Sequence, residues 1–211
     1  MALSVIGVSL IVGGYVFAKA DRLIGLGEVR DFIYLPLVRQ STNYTCGVAA
    51  VQSVVTFFGS AESESDLARE LHPDPENGTP VGNVVNFFNA RGFQTSVREP
   101  MSLRMLEEAV GAGRPTMVLL QAWAGEPGEP IQWEKTWDSG HWVVVIGYDR
   151  ENIYFMDPFK TAQYTFIERE EFLRRWHDVD AAGRKYIHFG LTVWKKGGRP
   201  SFNFHDIVPM N

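Results

Sequence analysis

The chain has 211 residues, 45% of them hydrophobic, and a formal net charge of −5, which suits one domain with an ordinary hydrophobic core. An acidic balance without a basic patch argues against nucleic acid as a partner. The single cysteine, Cys46, excludes an internal disulfide. The five histidines are scattered and show no metal-ligand spacing, so we expect no metal and no cofactor.

The first segment of the chain is strongly apolar, because residues 1–18 carry no charged side chain. As a helix this run would be about 27 Å long, close to the hydrocarbon thickness of a bilayer. An Ala-x-Ala pattern ending at Ala20 fits a signal peptide, whereas the length and the following Arg22 fit an uncleaved anchor. A buried N-terminal strand or helix is the third interpretation. We favour export or membrane anchoring through residues 1–22, followed by a domain over 30–211.

The first half of this domain is predicted to be mainly helical. A strand over 32–38 leads into the loop that contains Gln40. A helix follows over 46–58, with Thr45 as its N-cap and apolar residues at helical spacing. The other elements of this half are three helices and one strand. Each helix begins after a capping residue: 64–71 after Ser63, 80–91 after Thr79 with Pro80 at its first position, and 103–110 after Ser102. The strand is predicted over 93–97.

The second half is predicted to be a sheet. A hairpin over 148–154 joins two of its strands, and a short helix is predicted over 168–176. We interpret 174–178 as the end of that helix with a solvated basic face, rather than as a functional His–Asp pair. Helices come first and antiparallel strands last, which is an α+β layout. The predicted strands run over 116–122, 142–148, 152–156, and near 163–167 and 186–194.

Cys46 stands in the most informative stretch of the chain, which reads QSTNYTCGVAA from Gln40. The thiolate is the nucleophilic form of cysteine, whereas a free thiol with a pKa of about 8.5 is mostly protonated at neutral pH. A helix start and a neighbouring histidine both favour the thiolate. His141 opens an apolar strand and is the candidate base, and Asp157 ends the next strand and can orient the imidazole. Gln40 can place its side-chain amide where an oxyanion develops.

Each of these residues also has an ordinary structural explanation. A buried cysteine is usually a small hydrophobe, a histidine beside an apolar strand is usually a core residue, and Asp-Pro after a strand is usually a turn. The joint pattern is far more specific, because Gln40, Cys46, His141 and Asp157 occur in this order and on the expected kinds of element.

The pattern resembles family 39 of the papain-like (clan CA) cysteine peptidases, the bacteriocin-processing or double-glycine leader peptidases. The matching motifs are QSTNYTCG over 40–47, GHWVVV over 140–145, and Asp157-Pro158. The resemblance covers roughly residues 34–195. It implies a papain-like α+β fold, with the nucleophile on a helical half and the histidine and aspartate on an antiparallel sheet.

The same resemblance implies a role for each matching residue. Cys46 would be the nucleophile, His141 the base, Asp157 its orienting partner and Gln40 the oxyanion donor. The substrate would be a peptide or protein, and no cofactor is implied. The best-known members are domains of large ABC exporters. Because 211 residues leave no room for an exporter and no phosphate-binding loop is present, we expect a stand-alone member, anchored in or exported to the bacterial cell envelope.

Three functions remain open from the sequence. The first is a cysteine peptidase, for example one that removes a leader peptide after small residues such as Gly-Gly. The second is an amidase, transpeptidase or acyltransferase, because the triad sets the acyl-enzyme step but not the acyl acceptor. The third is a catalytically silent peptide-binding domain, although retention of all four residue types argues against it. Trp123, Trp133 and Trp137 either line a substrate groove or cover the core. The substrate, membrane orientation and oligomeric state are not set by the sequence.

Overall fold

The structure, a computed structural model, describes residue 29 and the ranges 31–123, 131–159 and 164–197. The predicted apolar segment over 1–22 and most of the tail lie outside the described residues. Across the described ranges, no helix is both long enough and apolar enough to cross a bilayer.

The helices of the described ranges lie mostly in the first half of the chain, as the capping signals predict. A 3-10 turn over Trp133–Lys135 adds to them. The α-helices are α1 (Cys46–Phe57), α2 (Glu64–Leu71), α3 (Val81–Ala90), α4 (Leu103–Gly111) and α5 (Arg169–Arg175).

Eight strands form two antiparallel sheets within the part of the chain that the structure describes. The large sheet has the strand order β1-β8-β2-β3-β4-β5, and β6 pairs with β7 in a separate two-stranded ribbon. The strands are β1 (Gln94–Arg98), β2 (Thr116–Gln121), β3 (Gly140–Tyr148), β4 (Asn152–Met156), β5 (Thr165–Glu168), β6 (His177–Val179), β7 (Lys185–Ile187) and β8 (Gly190–Trp194).

The core lies between α1 and the central strands of the sheet. Helix α1 packs against β3 on one side and α2 on another, and it is buried along almost its whole length. Strands β2, β3 and β4 are mostly apolar, and all their residues except Gly140 and Tyr148 are buried, as expected for the centre of a covered sheet. The side chains of Val48, Val51, Val144 and Phe155 belong to this core. The helical half and the sheet half therefore meet at the start of α1.

Two of the four predicted helix caps are present as expected. Ser63 accepts a hydrogen bond from the backbone N–H of Asp66, and Ser102 accepts one from Met105. The third prediction is confirmed in position only, and the fourth is wrong. Thr45 occupies the N-cap position of α1, but its side chain makes no capping bond. Proline takes the N-cap position of α3 in place of the predicted Thr79, and that helix begins one residue later than expected.

Two predicted strands differ from the structure. The segment 32–38 is extended but forms no strand, and it meets the sheet through one bond from the Ile33 N–H to the Ile146 carbonyl at 2.6 Å. The strand predicted near 186–194 is interrupted at His188, which has a φ of 50° and donates its N–H to the Trp176 carbonyl. The break turns β7 away from the main sheet and leaves it to pair with β6.

The predicted hairpin between β3 and β4 is confirmed. The carboxylate of Asp149 closes the turn by accepting the N–H groups of Glu151 and Asn152 at 2.7 and 2.6 Å. The pairing register places Val144 opposite Met156. Because the two strands are antiparallel, the first residues of β3 and the residue after β4 lie at the same end of the sheet.

Candidate active site

Cys46 is the first residue of α1, as predicted, and only 6% of it is exposed. Its neighbour Gly47 makes this placement possible. A β-carbon at Gly47 would lie 2.5 Å from Cβ of Thr79 and 2.9 Å from Cδ1 of Trp142, closer than real side chains approach. The indole N–H of Trp142 donates to the Thr79 carbonyl at 3.0 Å. The absence of a side chain at Gly47 thus lets the start of α1 come into contact with β3.

His141 lies near the start of β3, and 2% of it is exposed. Its Nε2 is 2.8 Å from Oδ1 of Asp157, the residue that follows β4. The same carboxylate oxygen accepts the backbone N–H of Phe159 at 2.9 Å, which holds Asp157 in place. The structure therefore brings these two predicted residues together through the hairpin register.

His141 interacts with Cys46 as well as with Asp157. Burial alone would lower the pKa of His141, but its hydrogen bond with Asp157 and its interaction with Cys46 raise the pKa to about 9. No hydrogen bond of standard geometry reaches Nδ1 from the described residues. Cys46 and His141 are therefore close enough to interact but are not aligned as a formed hydrogen bond. Such looseness is common in sites without substrate.

Gln40 is buried, but its side chain is not among the residues that line the cavity at Cys46. Its Nε2 donates to the carbonyl of Thr42 at 2.7 Å, and its Oε1 has no hydrogen-bond partner among the described residues. The backbone N–H of Gln40 donates to the carbonyl of Pro158 at 3.0 Å. This bond ties the Gln40 loop to the turn that follows Asp157.

A small cavity of about 60 Å³ opens beside the predicted nucleophile. It is bounded by the start of α1, the loop before α3, the start of β3 and the β6–β7 ribbon. This narrow volume favours small groups. The described residues that matter most for its chemistry are Cys46, Thr79, Gly140, His141, Asp178 and Asp180.

Asp178 is a residue of this cavity that the sequence interpretation missed. The prediction of a solvated helix end over 174–178 is confirmed for its first part, since α5 ends at Arg175 and the Arg174 side chain is 53% exposed, but it is wrong for His177 and Asp178, which belong to β6. His177 is buried, and its Nε2 lies 2.7 Å from the Thr136 carbonyl. Gly183 is a turn signal in the sequence that could have indicated a β6–β7 hairpin. In the structure this glycine has a φ of 78°.

The three tryptophans of the β2–β3 connection have different environments. Trp123 is 43% exposed, and its ring centre lies 4.9 Å from that of His141. Trp133 is buried beneath the guanidinium of Arg175, at 4.2 Å. Trp137 packs on the ring of His177 at 4.4 Å. Only Trp123 is therefore placed beside the predicted catalytic residues, whereas the other two cover the interior.

The described ranges contain no recognisable metal-ligand cluster. No group of three or more His, Cys, Asp or Glu side chains there is arranged to hold an ion. The chemistry available at the site is that of a buried thiol, an imidazole and carboxylates.

A helix that begins at the cysteine, packed on an antiparallel sheet that carries the histidine and aspartate, defines the α+β fold of papain-like cysteine peptidases. The chain belongs to the Peptidase_C39 like family, whose model matches residues 32–183. An uncharacterized protein of Methanothermobacter marburgensis is 27% identical over 122 residues, which cover 58% of this chain and 70% of that protein.

Solved structures share the fold at low sequence identity. A protein of Bacillus anthracis described as a C39-like peptidase has a TM-score of 0.61 at 18% identity, covering 81% of this chain and 98% of that one. The peptidase domain of Streptococcus ComA, a bifunctional ABC transporter of a quorum-sensing pathway, has a TM-score of 0.57 at 20% identity, covering 77% and 100%. A double-glycine-motif protease from an AMS/PCAT transporter, solved with its leader peptide, has a TM-score of 0.54 at 16% identity, covering 78% and 94%.

Proposed function

We propose that this protein is an active cysteine peptidase that hydrolyses a peptide bond through a triad of Cys46, His141 and Asp157. One observation carries the proposal. His141, whose Nε2 lies 2.8 Å from Oδ1 of Asp157, lines the cavity that also contains Cys46 as the first residue of a helix. A structural role for these residues would not require a buried histidine that interacts with both a carboxylate and a thiol.

The geometry supports the protonation states that a thiolate nucleophile needs, namely a protonated His141 and a deprotonated Cys46. With a pKa of about 9, His141 is an imidazolium at neutral pH, which favours the thiolate of Cys46 beside it. The helix dipole of α1 acts in the same direction, because Cys46 lies in the first turn. Asp157 holds the ring by its Nε2, so Nδ1 is the nitrogen that serves the thiol and the leaving group.

The reaction then follows the usual two stages of acyl transfer. The Cys46 sulfur attacks the carbonyl carbon of the peptide bond, and the negative charge moves to the carbonyl oxygen. The backbone N–H of Cys46 and an N–H of Gln40 are the proposed donors to that oxygen. One of the two Gln40 amide hydrogens is used by Thr42, which leaves the second for the oxyanion. His141 gives its proton to the departing amine, and water activated by His141 releases the acyl group.

The substrate we propose is a peptide with small residues on the acyl side of the cleaved bond. The cavity beside Cys46 is narrow, about 60 Å³, and therefore favours small side chains next to the reacting carbonyl. The structural relative solved with a leader peptide supports a peptide substrate of this kind. Removal of a leader after a Gly-Gly pair is the specific activity that we propose on this basis.

The proposal is tested by measuring the alkylation rate of Cys46 with iodoacetamide between pH 5 and 9. The chain has no other cysteine, so the label reports this site alone. The same protein unfolded in urea provides the reference thiol. We expect the folded protein to react at pH 6 at least about tenfold faster than the unfolded reference, because a thiolate paired with an imidazolium persists below the usual thiol pKa.

Hydrolysis is measured in parallel with a peptide that contains Gly-Gly and a matched peptide that contains Val-Val. We expect cleavage after Gly-Gly only, and none by the Cys46→Ser variant. Equal alkylation rates for folded and unfolded protein at pH 6 would contradict the peptidase and favour a silent binding domain. Fast alkylation without cleavage of any peptide would favour an amidase, transpeptidase or acyltransferase, since the nucleophile would be active and the substrate wrong.

A further inference from the structure

Two exposed aromatic residues lie beside the predicted catalytic histidine and have no part in the triad. Trp123 is 43% exposed, and its ring centre lies 4.9 Å from that of His141. Phe159 is 44% exposed, and its ring meets that of Trp123 edge to face, with 5.2 Å between the ring centres. Neither is among the described residues that line the cavity beside Cys46. The aromatic pair Trp123 and Phe159 therefore forms a separate apolar surface next to the site.

The backbone that leads into Trp123 is fixed by hydrogen bonds on both sides. The N–H of Ala122 donates to the carbonyl of Ser139 at 2.9 Å, which continues the pairing of β2 with β3. The guanidinium of Arg175 donates to the carbonyls of Gln121 and Ala122 at 2.7 and 3.2 Å. Trp123 thus follows directly on an anchored strand end, which is the placement expected of a binding residue rather than of a loose loop.

Phe159 is anchored to the triad through its backbone. Its N–H donates to Oδ1 of Asp157 at 2.9 Å, and the carbonyl of the preceding Pro158 accepts the N–H of Gln40 at 3.0 Å. Neither bond uses the phenyl ring. The ring can therefore be removed by substitution while both backbone bonds are kept, so its contribution to substrate choice is separable from the position of Asp157.

The proposed reaction assigns this surface to the leaving side of the substrate. His141 gives its proton to the departing amine, so the first residue after the cleaved bond begins beside the imidazole. Its β-carbon is two bonds from that nitrogen, about 2.5 Å away. The ring of Trp123 lies against the same imidazole. The acyl side belongs to the cavity, whose described lining includes Cys46 and neither aromatic residue.

We propose that Trp123 and Phe159 form an apolar subsite for the side chain of the first residue after the cleaved bond. The inference rests on the proposed peptidase function and adds a substrate class to it, namely peptides in which Gly-Gly is followed by a large apolar residue. Such a side chain leaves water and covers two exposed rings at once. A polar side chain gains less, because the ring of Phe159 offers it no hydrogen bond.

The subsite is tested on the full chain with two internally quenched peptides that share Gly-Gly before the cleaved bond. The next residue is leucine in one and its polar isostere asparagine in the other. We expect kcat/KM to be about tenfold higher for the leucine peptide, and Phe159→Ala to remove most of this advantage while preserving the rate on the asparagine peptide. The control Phe166→Ala removes a comparably exposed phenylalanine from β5 and should leave the ratio unchanged.

A ratio near one in the wild type, or a ratio that Phe159→Ala does not change, would overturn the subsite. Trp123→Ala separates substrate choice from support of the histidine. A loss of rate that is larger on the leucine peptide is expected of the subsite. An equal loss on both peptides would show that Trp123 only protects His141, and would overturn the proposal. If Trp123→Ala does not fold, as judged by circular dichroism, Phe159→Ala decides.

Binding to the subsite is also measured without hydrolysis, by ¹⁹F NMR of the full chain labelled with 5-fluorotryptophan. The chain has six tryptophans, and Trp123→Phe identifies the signal of Trp123. Acetyl-leucine methylamide should shift this signal at a concentration at which acetyl-asparagine methylamide does not, and Phe159→Ala should weaken the shift. The signal of Trp194, which packs under Arg114 at 4.6 Å, should stay in place.

Equal shifts of the Trp123 signal with the two amides, or no shift with either, would overturn the subsite. A shift with the leucine compound alone, in a protein that cleaves neither peptide, would support the subsite and contradict the peptidase. Cleavage of both peptides at equal rates would support the peptidase and contradict the subsite. Failure of the one proposal is therefore distinguishable from failure of the other.

Discussion

Nε2 of His141 and Oδ1 of Asp157 lie 2.8 Å apart although the two residues are 16 positions apart in the chain, because the β3–β4 hairpin returns the backbone to the same end of the sheet. The bond is buried on the histidine side and partly buried on the aspartate side. A hydrogen-bonded pair of this kind stabilises the fold as well as the charged state of the ring, so its presence is measurable without any substrate.

We predict that the free energy of unfolding depends on pH through His141. Its pKa rises from 6.5 in the unfolded chain to about 9 in the folded protein, so its contribution is fully present below pH 6.5 and is lost as the pH rises through 9. The difference in unfolding free energy between the wild type and His141→Gln should shrink by about 1–3 kcal/mol from pH 6 to pH 9.5. Urea titrations at several pH values measure this difference.

Other titratable groups face His141, namely Cys46, Asp157 and Asp178. Repeating the comparison in a Cys46→Ser parent separates the titration of the thiol from that of the ring. The Asp157→Asn variant should reduce the pH dependence, because the hydrogen bond that raises the pKa is weakened. A difference that stays constant over this pH range would show that His141 is not held as an imidazolium.

The second prediction concerns Gln40 as a donor to the oxyanion. Gln40→Ala should lower kcat on a cleaved peptide about 10²-fold, as expected when one oxyanion donor is lost. The matched control is Gln52→Ala. Gln52 also donates its side-chain amide to a backbone carbonyl, that of Glu62 at 2.7 Å, but it lies within α1, six residues after Cys46, and not in the loop that precedes the cysteine.

Both variants lose one amide-to-carbonyl bond, so both should lose a similar and modest amount of stability, about 1 kcal/mol. Only Gln40→Ala should lose activity. Equal kcat values for the two variants, measured with a substrate whose chemical step is rate-limiting, would remove Gln40 from the mechanism and leave it as a loop residue bound to Thr42.

The parts of the fold that were predictable from sequence have local signals. The caps of α2 and α4 depend on residues three apart in the chain, and the β3–β4 hairpin depends on a turn of a few residues. The start of α1 at Cys46 was visible in the spacing of small and apolar residues. The proximity of His141 and Asp157 was predictable for the same reason, since a short hairpin joins the strands beside which they lie.

The parts that were missed depend on distant partners. The segment 32–38 has the composition of a strand, but only Ile33 finds a partner in the sheet. Strand β6 has three residues, too few for a period to be read. The place of Asp178 follows from its contact with Gly140, a residue 38 positions earlier, and no local pattern reports such a contact. The direction of the Gln40 amide is also a tertiary property.

The third prediction concerns residues 1–18, which we propose to be a membrane-associating segment outside the catalytic domain. A protein that begins at Asp21 should be soluble and fold with the same thermal midpoint as the domain in the full chain. The full chain should co-sediment with lipid vesicles, whereas the shortened protein should remain in the supernatant. Loss of folding on truncation would show that the segment belongs to the core and would contradict the anchor.

The last prediction compares two glycines in helices. Gly47→Ala should destabilise the protein by about 1–3 kcal/mol, because the added methyl group meets Thr79 and Trp142 at 2.5 and 2.9 Å and cannot be absorbed without movement. Gly82→Ala should instead stabilise the protein by up to about 1 kcal/mol. Gly82 lies in α3, and a β-carbon there meets nothing within 4 Å.

The reactivity of the Cys46 thiol should distinguish Gly47→Ala from Gly82→Ala in the same way as their stability does. The movement forced at Gly47 displaces the first turn of α1 from β3, and therefore Cys46 from His141, so alkylation of the thiol at pH 6 should fall to the rate of the unfolded reference. Gly82→Ala should alkylate like the wild type. A Gly47→Ala protein that is as stable and as reactive as the wild type would mean that α1 and β3 do not meet as closely as the structure shows. The site would then have to be assembled by some other contact.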